Sequence, residues 1–306
     1  MSRSDRIVPL DLHHDGLEGA ICAHVLEAPD PVVVDPGPSS SLDALRAGLA
    51  EAGFAVADLR HILLTHVHLD HAGATGHLVR ENPRVTVHVH ADGAPHMADP
   101  ERLVRSTRRT FGEAHDRLWG PVLPVPPERI QAWRPGEAGG FRDVRFFHSP
   151  GHIAHHVSYL AERAGILLAG DSLGIILDPE APTHPATPPP AVDLAAWHHT
   201  LEETYAGLGP DGLALAHFGV LDGERNSLDR RREELARVLE EMEARVGRAM
   251  AAGPEAEEED RAAFHAEAVE VAAAHVGTER AERYFQAFSP ASDWDGVRFH
   301  LARREG

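Results

Sequence analysis

Three histidines and one aspartate occupy six consecutive positions directly after the short apolar run 62–64. Segment 65–71 reads Thr-His-Val-His-Leu-Asp-His, so its donors are His66, His68, Asp70 and His71. Hydrophobic burial cannot stabilise so many nitrogen and oxygen donors on one turn, because a buried donor or acceptor without a partner costs about 1 to 3 kcal/mol. The same side chains are ligands for Zn²⁺ or iron at about 2.0 to 2.2 Å. The segment therefore predicts a metal-binding loop at the end of a strand.

Three further candidate ligands each follow a strand-like apolar run. His152 comes after 144–147, Asp171 after 166–170 and His217 after 213–216. In α/β sheets, functional side chains gather where strands end, even when they are far apart in sequence. We therefore expect one site, assembled from four strand ends on one rim.

This ordered donor set resembles that of the metallo-β-lactamase superfamily, in a glyoxalase II-like or lactonase-like branch. The resemblance covers about residues 7–220 and includes the turn Asp35-Pro36-Gly37 after the valines 32–34. It implies an α/β fold of the αββα sandwich type, with two mixed sheets flanked by helices. We expect a catalytic domain over 1–221 and a helical C-terminal extension over 222–306.

The resemblance also implies two divalent metal ions held by three ligands each and one shared bridge. His66, His68 and His152 would hold metal 1, Asp70, His71 and His217 metal 2, and Asp171 would bridge them. Such a pair, about 3.5 to 4 Å apart, lowers the pKa of a shared water toward 7. Asp70 is the expected catalytic residue, orienting the nucleophile and passing a proton to the leaving group. Zn²⁺ is the expected metal, and iron or Mn²⁺ are the alternatives.

Supporting residues are also expected around these ligands. Asp35 and Thr65 are candidates for holding the ligands in orientation. His155 and His156 stand where many relatives have a small turn. They either contact the ligands or the pocket, or pack and hydrogen-bond locally. His184 lies in the segment 178–193, whose six prolines predict a stiff extended wall beside the site, and its role stays open.

Charge and composition restrict the partners. The formal net charge is −19, all 29 basic residues are arginine, and the only cysteine is Cys22. The acidic balance argues against nucleic acid as substrate, and the missing lysines exclude Schiff-base and Walker-type lysine chemistry. One cysteine allows no intrachain disulfide. We expect a small-molecule substrate, no membrane-spanning segment and a cytoplasmic location.

Two regions outside the donor set have clear periodicity. Segment 85–90 alternates strictly, so its valines share one sheet face and Thr86, His88 and His90 share the other, which we interpret as an exposed or loop-facing row. Beyond residue 222 the pattern is helical, with apolar stripes that include Tyr284, Phe285 and Phe288. This extension is expected to form a cap or a homodimer interface.

Alternative functions stay open at this point. Segment 170–174 satisfies Gly-x-Ser-x-Gly, which would make Ser172 the nucleophile of a serine hydrolase, although proline-broken apolar sequence follows where a helix is required. A mononuclear iron persulfide dioxygenase of the same superfamily and a non-catalytic binding protein are two further candidates. The ligand set suits thioesters, lactones, β-lactams and phosphodiesters alike. We favour a thioester or a lactone, because the acidic charge disfavours polyanions and no basic glutathione clamp is evident.

Overall fold

The structure, a computed structural model, describes residues 6–27, 30–137 and 140–305. Within these ranges the strands form two sheets of six strands each. The first sheet contains, in spatial order, β1 Ile7–Asp11, β2 Cys22–Leu26, β3 Val32–Val34, β4 His61–Leu63, β5 Thr86–His90 and β6 Ile130–Trp133. In the second sheet, strands that follow one another in the chain are again neighbours. Its strands are β7 Gly140–Phe141, β8 Val144–His148, β9 Val157–Ala161, β10 Ile166–Gly170, β11 Gly212–Leu215 and β12 Gly219–Asp222.

Both sheets are mixed. In the first sheet β1, β2 and β3 pair antiparallel and β3 to β6 pair parallel. In the second sheet β10 and β11 are parallel and the remaining pairs are antiparallel. The helices are α1 Leu42–Glu51, α2 Leu69–Ala72, α3 Thr75–Glu81, α4 Ala94–Ala98, α5 Glu101–Phe111, α6 His115–Trp119, α7 Leu194–His199, α8 Leu228–Ala252, α9 Pro254–Val276, α10 Thr278–Ala287 and α11 Pro290–Glu305.

The molecule has four layers, in the order helices, first sheet, second sheet and helices, and apolar side chains pack between them. Val25 and Val33 pack outward against α1 and α3, while Val34 and Leu63 pack inward in one cluster with Tyr159 of the second sheet. The outer face of the second sheet packs against α7 and the C-terminal helices. This arrangement confirms the predicted αββα sandwich with C-terminal helices.

The expectation for the histidine row on β5 was wrong. His88 and His90 are 7% and 4% exposed, and the ring of His88 lies 6.1 Å from that of Phe146 on β8. Alternation correctly separates the histidines from the valines, which pack in the outer cluster. However, the second sheet covers the histidine face, and the sequence of one strand carries no sign of that cover.

The C-terminal helices share a core with the second sheet. Leu235, Leu239 and Met242 of α8 lie in one cluster with Leu213 and Leu215 of β11. Helix α8 begins after Ser227, whose hydroxyl accepts a hydrogen bond from the backbone N–H of Arg230, and ends before Gly253. No helix in the described ranges is both long and apolar enough to cross a membrane. The division at 221/222 and the homodimer stay predictions.

The buried His24 should make the stability depend on pH in one direction. Burial lowers the pKa of this imidazole to about 4, and nearby Asp35 opposes the shift only in part. Because the folded pKa lies below the unfolded value of about 6.5, the stabilising contribution is complete above pH 6.5 and is lost as the pH falls toward 4. Between pH 7 and 5, the urea midpoint of the wild type should therefore fall more than that of His24→Gln. Equal shifts would contradict this assignment.

Candidate metal centre

Four of the predicted ligands lie between the end of β4 and the first turn of α2. His66 and His68 precede α2, and Asp70 and His71 lie within it. The buried carboxylate of Asp35 fixes the start of this segment. It accepts hydrogen bonds from the backbone N–H of Thr65 at 2.8 Å and from its hydroxyl at 2.7 Å. Asp35 itself adopts φ +47°, an uncommon conformation for a residue other than glycine.

The other three ligands follow β8, β10 and β11, at the same edge of the sandwich. Their side chains and the first four meet in two clusters: His66, His68 and His152 in one, and Asp70, His71, Asp171 and His217 in the other. Gly151 permits the turn before His152. Its φ is +148°, and a Cβ atom there would lie 2.2 Å from Cγ of Trp197.

Distances within the two clusters are short. Nδ1 of His68 lies 2.9 Å from Nε2 of both His66 and His152. Asp171 joins the clusters, because its Oδ2 is 3.4 Å from Nε2 of His152 and its Oδ1 is 3.3 Å from Nε2 of His71. The structure thus brings together all seven side chains that the sequence singled out, with Asp171 between the two groups.

The unpaired atoms of this cluster fit bound metal. Nε2 of His71 and Oδ1 of Asp171 are fully buried and have no hydrogen-bond partner among the described residues. Leaving such atoms unpaired costs about 1 to 3 kcal/mol each, and a cation between them removes that cost. Imidazole nitrogens and carboxylate oxygens are also the donors that Zn²⁺, iron and Mn²⁺ accept.

Three of the ligand histidines are oriented by contacts at Nδ1, which leave Nε2 free to bind a metal. Nδ1 of His152 lies 2.7 Å from the carbonyl oxygen of Ala186, and Nδ1 of His217 lies 3.1 Å from that of Ala20. A carbonyl only accepts, so each Nδ1 carries the proton and each Nε2 presents a lone pair. Nδ1 of His71 similarly faces Oδ2 of Asp35 at 3.0 Å.

The pKa values of the ligand histidines are shifted in opposite directions. Burial lowers the pKa of His68 to about 3 and that of His66 well below its usual value, so both are neutral at neutral pH. Burial also acts to lower the pKa of His71, but the carboxylates Asp171, Asp70 and Asp35 together raise it well above the usual value. Metal binding at this cluster would therefore displace a proton from His71.

Both histidines after the Pro-Gly-His turn contact the backbone of ligand-bearing segments. Nε2 of His156 accepts a hydrogen bond from the N–H of Asp171 at 3.2 Å, and its ring stacks on His66 with 5.1 Å between centroids. Nε2 of His155 accepts one from the N–H of Val67 at 3.3 Å. Both histidines thus pack and hydrogen-bond beside the ligands, and a role for them in the reaction stays a prediction.

The side chains of two other candidates bond to groups other than the ligands. Ser172 is fully buried, and its hydroxyl donates to the carbonyl oxygen of Ala169 at 2.6 Å. The following residues pair with the proline-rich segment through Ile175 and do not form a helix, so the nucleophile elbow is absent here. His184 faces Asp293 of α11, with 3.0 Å between Nε2 and Oδ2.

Sequence reasoning missed a group of aromatic residues beside the cluster. We define the aromatic wall as His14, Trp119, Tyr284 and Phe288. The hydroxyl of Tyr284 is 3.0 Å from Nδ1 of His217, and the ring of Phe288 is 4.7 Å from that of His217. The sequence identified Tyr284 and Phe288 only as members of apolar stripes, and it contains no signal for His14.

Two mixed sheets packed face to face, with metal-ligating side chains where their strands end, define a class of αββα proteins with a metal centre at the sheet edge. A model of the metallo-beta-lactamase superfamily matches residues 30–238, well over half of the chain. The chain belongs to that superfamily.

Individual relatives share only a modest fraction of identical residues with this chain. A metallo-beta-lactamase fold-containing protein of Sulfurisphaera tokodaii is 26% identical over 197 residues, which are 62% of this chain and 69% of the relative. A hydroxyacylglutathione hydrolase of Cupriavidus taiwanensis is 30% identical over 148 residues, covering 46% of this chain and 44% of that enzyme. The crystal structure of a metallo-beta-lactamase family protein from Thermus thermophilus shares the fold with a TM-score of 0.65, at 23% identity over 98% of this chain and 94% of the other.

Proposed function

We propose that the protein is a dinuclear, zinc-dependent hydrolase of small ester-like substrates. The observation that carries this proposal is the convergence of seven buried or half-buried donors in two clusters that share Asp171. When bound there, two divalent ions would polarise the substrate carbonyl and lower the pKa of water enough to give hydroxide at neutral pH.

Asp70 has the geometry for moving a proton. Its Oδ2 lies 3.3 Å from Nε2 of His217 and 3.5 Å from Nε2 of His71, and 12% of its side chain is exposed. The carboxylate therefore reaches both the buried donors and the open side. There it would orient the attacking water, accept its proton and deliver that proton to the leaving group.

A thioester or a lactone is the substrate class that we favour. The 30% identical hydroxyacylglutathione hydrolase supports a thioester, although this chain spans less than half of that enzyme. The net charge of −19 opposes binding of polyanions such as nucleic acid.

Metal content and chelation test the proposal together. We expect about two zinc ions per purified chain and hydrolysis of at least one compound in a panel of thioesters, lactones and phosphodiesters. Removing the metal with a chelator should lower the rate at least about a hundredfold, and added Zn²⁺ should restore it. Ser172→Ala should keep this chelator-sensitive activity.

Other outcomes would favour the alternatives. One iron per chain with oxygen uptake on a persulfide would favour the dioxygenase. Chelator-resistant activity that Ser172→Ala abolishes would favour the serine hydrolase. Two bound metals without turnover of any compound class would leave a binding protein.

A further inference from the structure

A cavity of about 210 Å³ lies between the proline-rich segment 178–193 and the C-terminal helices. Its walls are mainly apolar and include Ile175, Leu177, Val238, Phe264, Val271 and Phe285. Because Val271 is 47% exposed, the cavity opens to solvent beside α9. None of the seven metal-ligand candidates is among its lining residues. The cavity is therefore separate from the metal centre.

His184 lines this cavity, and only one nitrogen of its ring is in use. Nε2 lies 3.0 Å from Oδ2 of Asp293, whose Oδ1 accepts a hydrogen bond from the N–H of Thr187 at 2.7 Å. A carboxylate only accepts, so Nε2 carries the proton and Nδ1 presents a lone pair. Nδ1 makes no hydrogen bond to any residue that the structure describes, and 14% of the side chain is exposed. The imidazole is thus fixed in orientation, with an acceptor left for a ligand.

Two aromatic rings stand next to this imidazole in the cavity wall. The centroid of the His184 ring lies 5.3 Å from that of Phe285 and 5.9 Å from that of Phe264. Aromatic rings attract one another in offset or edge-to-face arrangements, at about 4.5 to 7 Å between centroids. A planar ring in the cavity would contact both phenylalanines while a substituent on it reaches His184.

The lining favours an uncharged ligand of limited size. Glu267 is the one carboxylate among the lining residues, and Arg245 pairs with it at 3.1 Å between Nη2 and Oε1. No arginine from the described ranges lines the cavity, so an anionic ligand would be buried without a counter-charge. An apolar cavity of about 150 Å³ is known to take up benzene. The larger volume here accommodates a benzene ring with one or two small substituents.

We propose that this cavity is a binding site for a small uncharged aromatic alcohol, namely a phenol with at most one or two small substituents. The phenol hydroxyl donates a hydrogen bond to Nδ1 of His184, and the ring packs against Phe264 and Phe285. The site uses none of the metal ligands, so it does not depend on the proposed hydrolase function.

Two isomeric probes test the hydrogen bond. p-Cresol and anisole have the same composition, but only p-cresol can donate a hydrogen bond. In ligand-observed NMR titrations of the wild type, we expect a Kd of about 0.1 to 1 mM for p-cresol. The Kd of anisole should be about three- to tenfold higher, because its oxygen has no hydrogen to donate. The anion p-toluate should not bind at the same concentrations.

Two variants locate the ligand. His184→Phe removes the acceptor and keeps an aromatic ring, so the Kd values of p-cresol and anisole should come within about twofold of each other. Ala268→Leu places a larger side chain in the cavity wall and should raise both Kd values at least about tenfold. The matched control Ala262→Leu changes an exposed position of the same helix and should bind both probes as the wild type does. Thermal unfolding shows whether each variant is folded.

Three outcomes would overturn the proposal. The first is a wild type that binds p-cresol no better than anisole, or that binds neither at millimolar concentration. The second is undiminished binding of p-cresol by folded Ala268→Leu, which would place the ligand elsewhere. The third is an unchanged preference for p-cresol in folded His184→Phe. A wild type that binds p-cresol as expected but hydrolyses no compound would reject the proposed function and leave this site in place.

Discussion

Replacing Asp171 with alanine should remove at least one metal ion per chain and lower kcat/KM about a thousandfold or more. Asp171 is the side chain that approaches both clusters, with its two oxygens within 3.4 Å of His152 and His71. Without it, the remaining donors would be left as two separate sets with no shared ligand. The carboxylate would also balance the charge of the two proposed cations in a site with little access to water.

The controls for this experiment are available in the same chain. Asp171→Asn keeps the shape of the side chain but not its charge, so metal content should fall less than in Asp171→Ala. Asp222→Ala changes an exposed aspartate of β12 and should alter neither metal content nor rate. Plasma emission spectrometry gives the metal content, and thermal unfolding shows whether each variant is folded. A folded Asp171→Ala that keeps two metals and full activity would reject the bridging role.

The ligand positions could be predicted because two independent signals coincide in the sequence. Each donor type suits a metal, and each group of donors lies shortly after an apolar run that became a strand, as His217 does after β11. Strand ends converge on one edge, so local sequence was sufficient to bring distant residues together. The αββα architecture followed from the family resemblance that those donors carry.

The aromatic wall could not be predicted in this way, because its members come from segments with no shared pattern. His14 lies in a loop before β2, Trp119 ends α6, and Tyr284 and Phe288 come from the end of α10. Their contacts depend on how helices pack on the sandwich. Periodicity shows that a stripe is apolar, but it does not identify the surface that covers it.

Arg231 is another residue whose location the sequence pattern could not predict, in this case a charged residue that is buried. It stands among charged residues at the start of α8, which a sequence pattern assigns to a solvated face, yet its side chain is only 2% exposed. The guanidinium donates to Oδ1 of Asn226 at 2.6 Å, to the carbonyl oxygens of Ala181 and Pro179 at 3.1 and 2.8 Å, and to Oε2 of Glu234 at 2.8 Å. These bonds attach α8 to the proline-rich segment.

The hydrogen bonds of Arg231 are connected to the metal centre through Glu234 and the proline-rich segment. Glu234, held by Arg231, also accepts a hydrogen bond from the N–H of Thr183 at 3.0 Å, and Ala186 in the same segment orients His152 through its carbonyl oxygen. Prolines stiffen this wall but carry no backbone N–H, so its hydrogen bonds come from its other residues and from side chains outside it. We infer that Arg231 supplies one anchor of the segment, beside the hydrogen bond from the N–H of Thr187 to Asp293 at 2.7 Å, and so helps to fix the position of Ala186.

Arg231→Met should therefore lower the free energy of unfolding by about 1 to 3 kcal/mol, since it removes the donor to the carbonyl oxygens of Ala181 and Pro179 and the charge partner of Glu234. Metal affinity should fall about tenfold, because His152 loses its fixed orientation. Arg230→Met, one position earlier on the exposed face and 3.6 Å from Glu224, should cost less than about 0.5 kcal/mol. Urea denaturation followed by tryptophan fluorescence compares the two variants. Equal losses would show that the buried guanidinium does not anchor the segment.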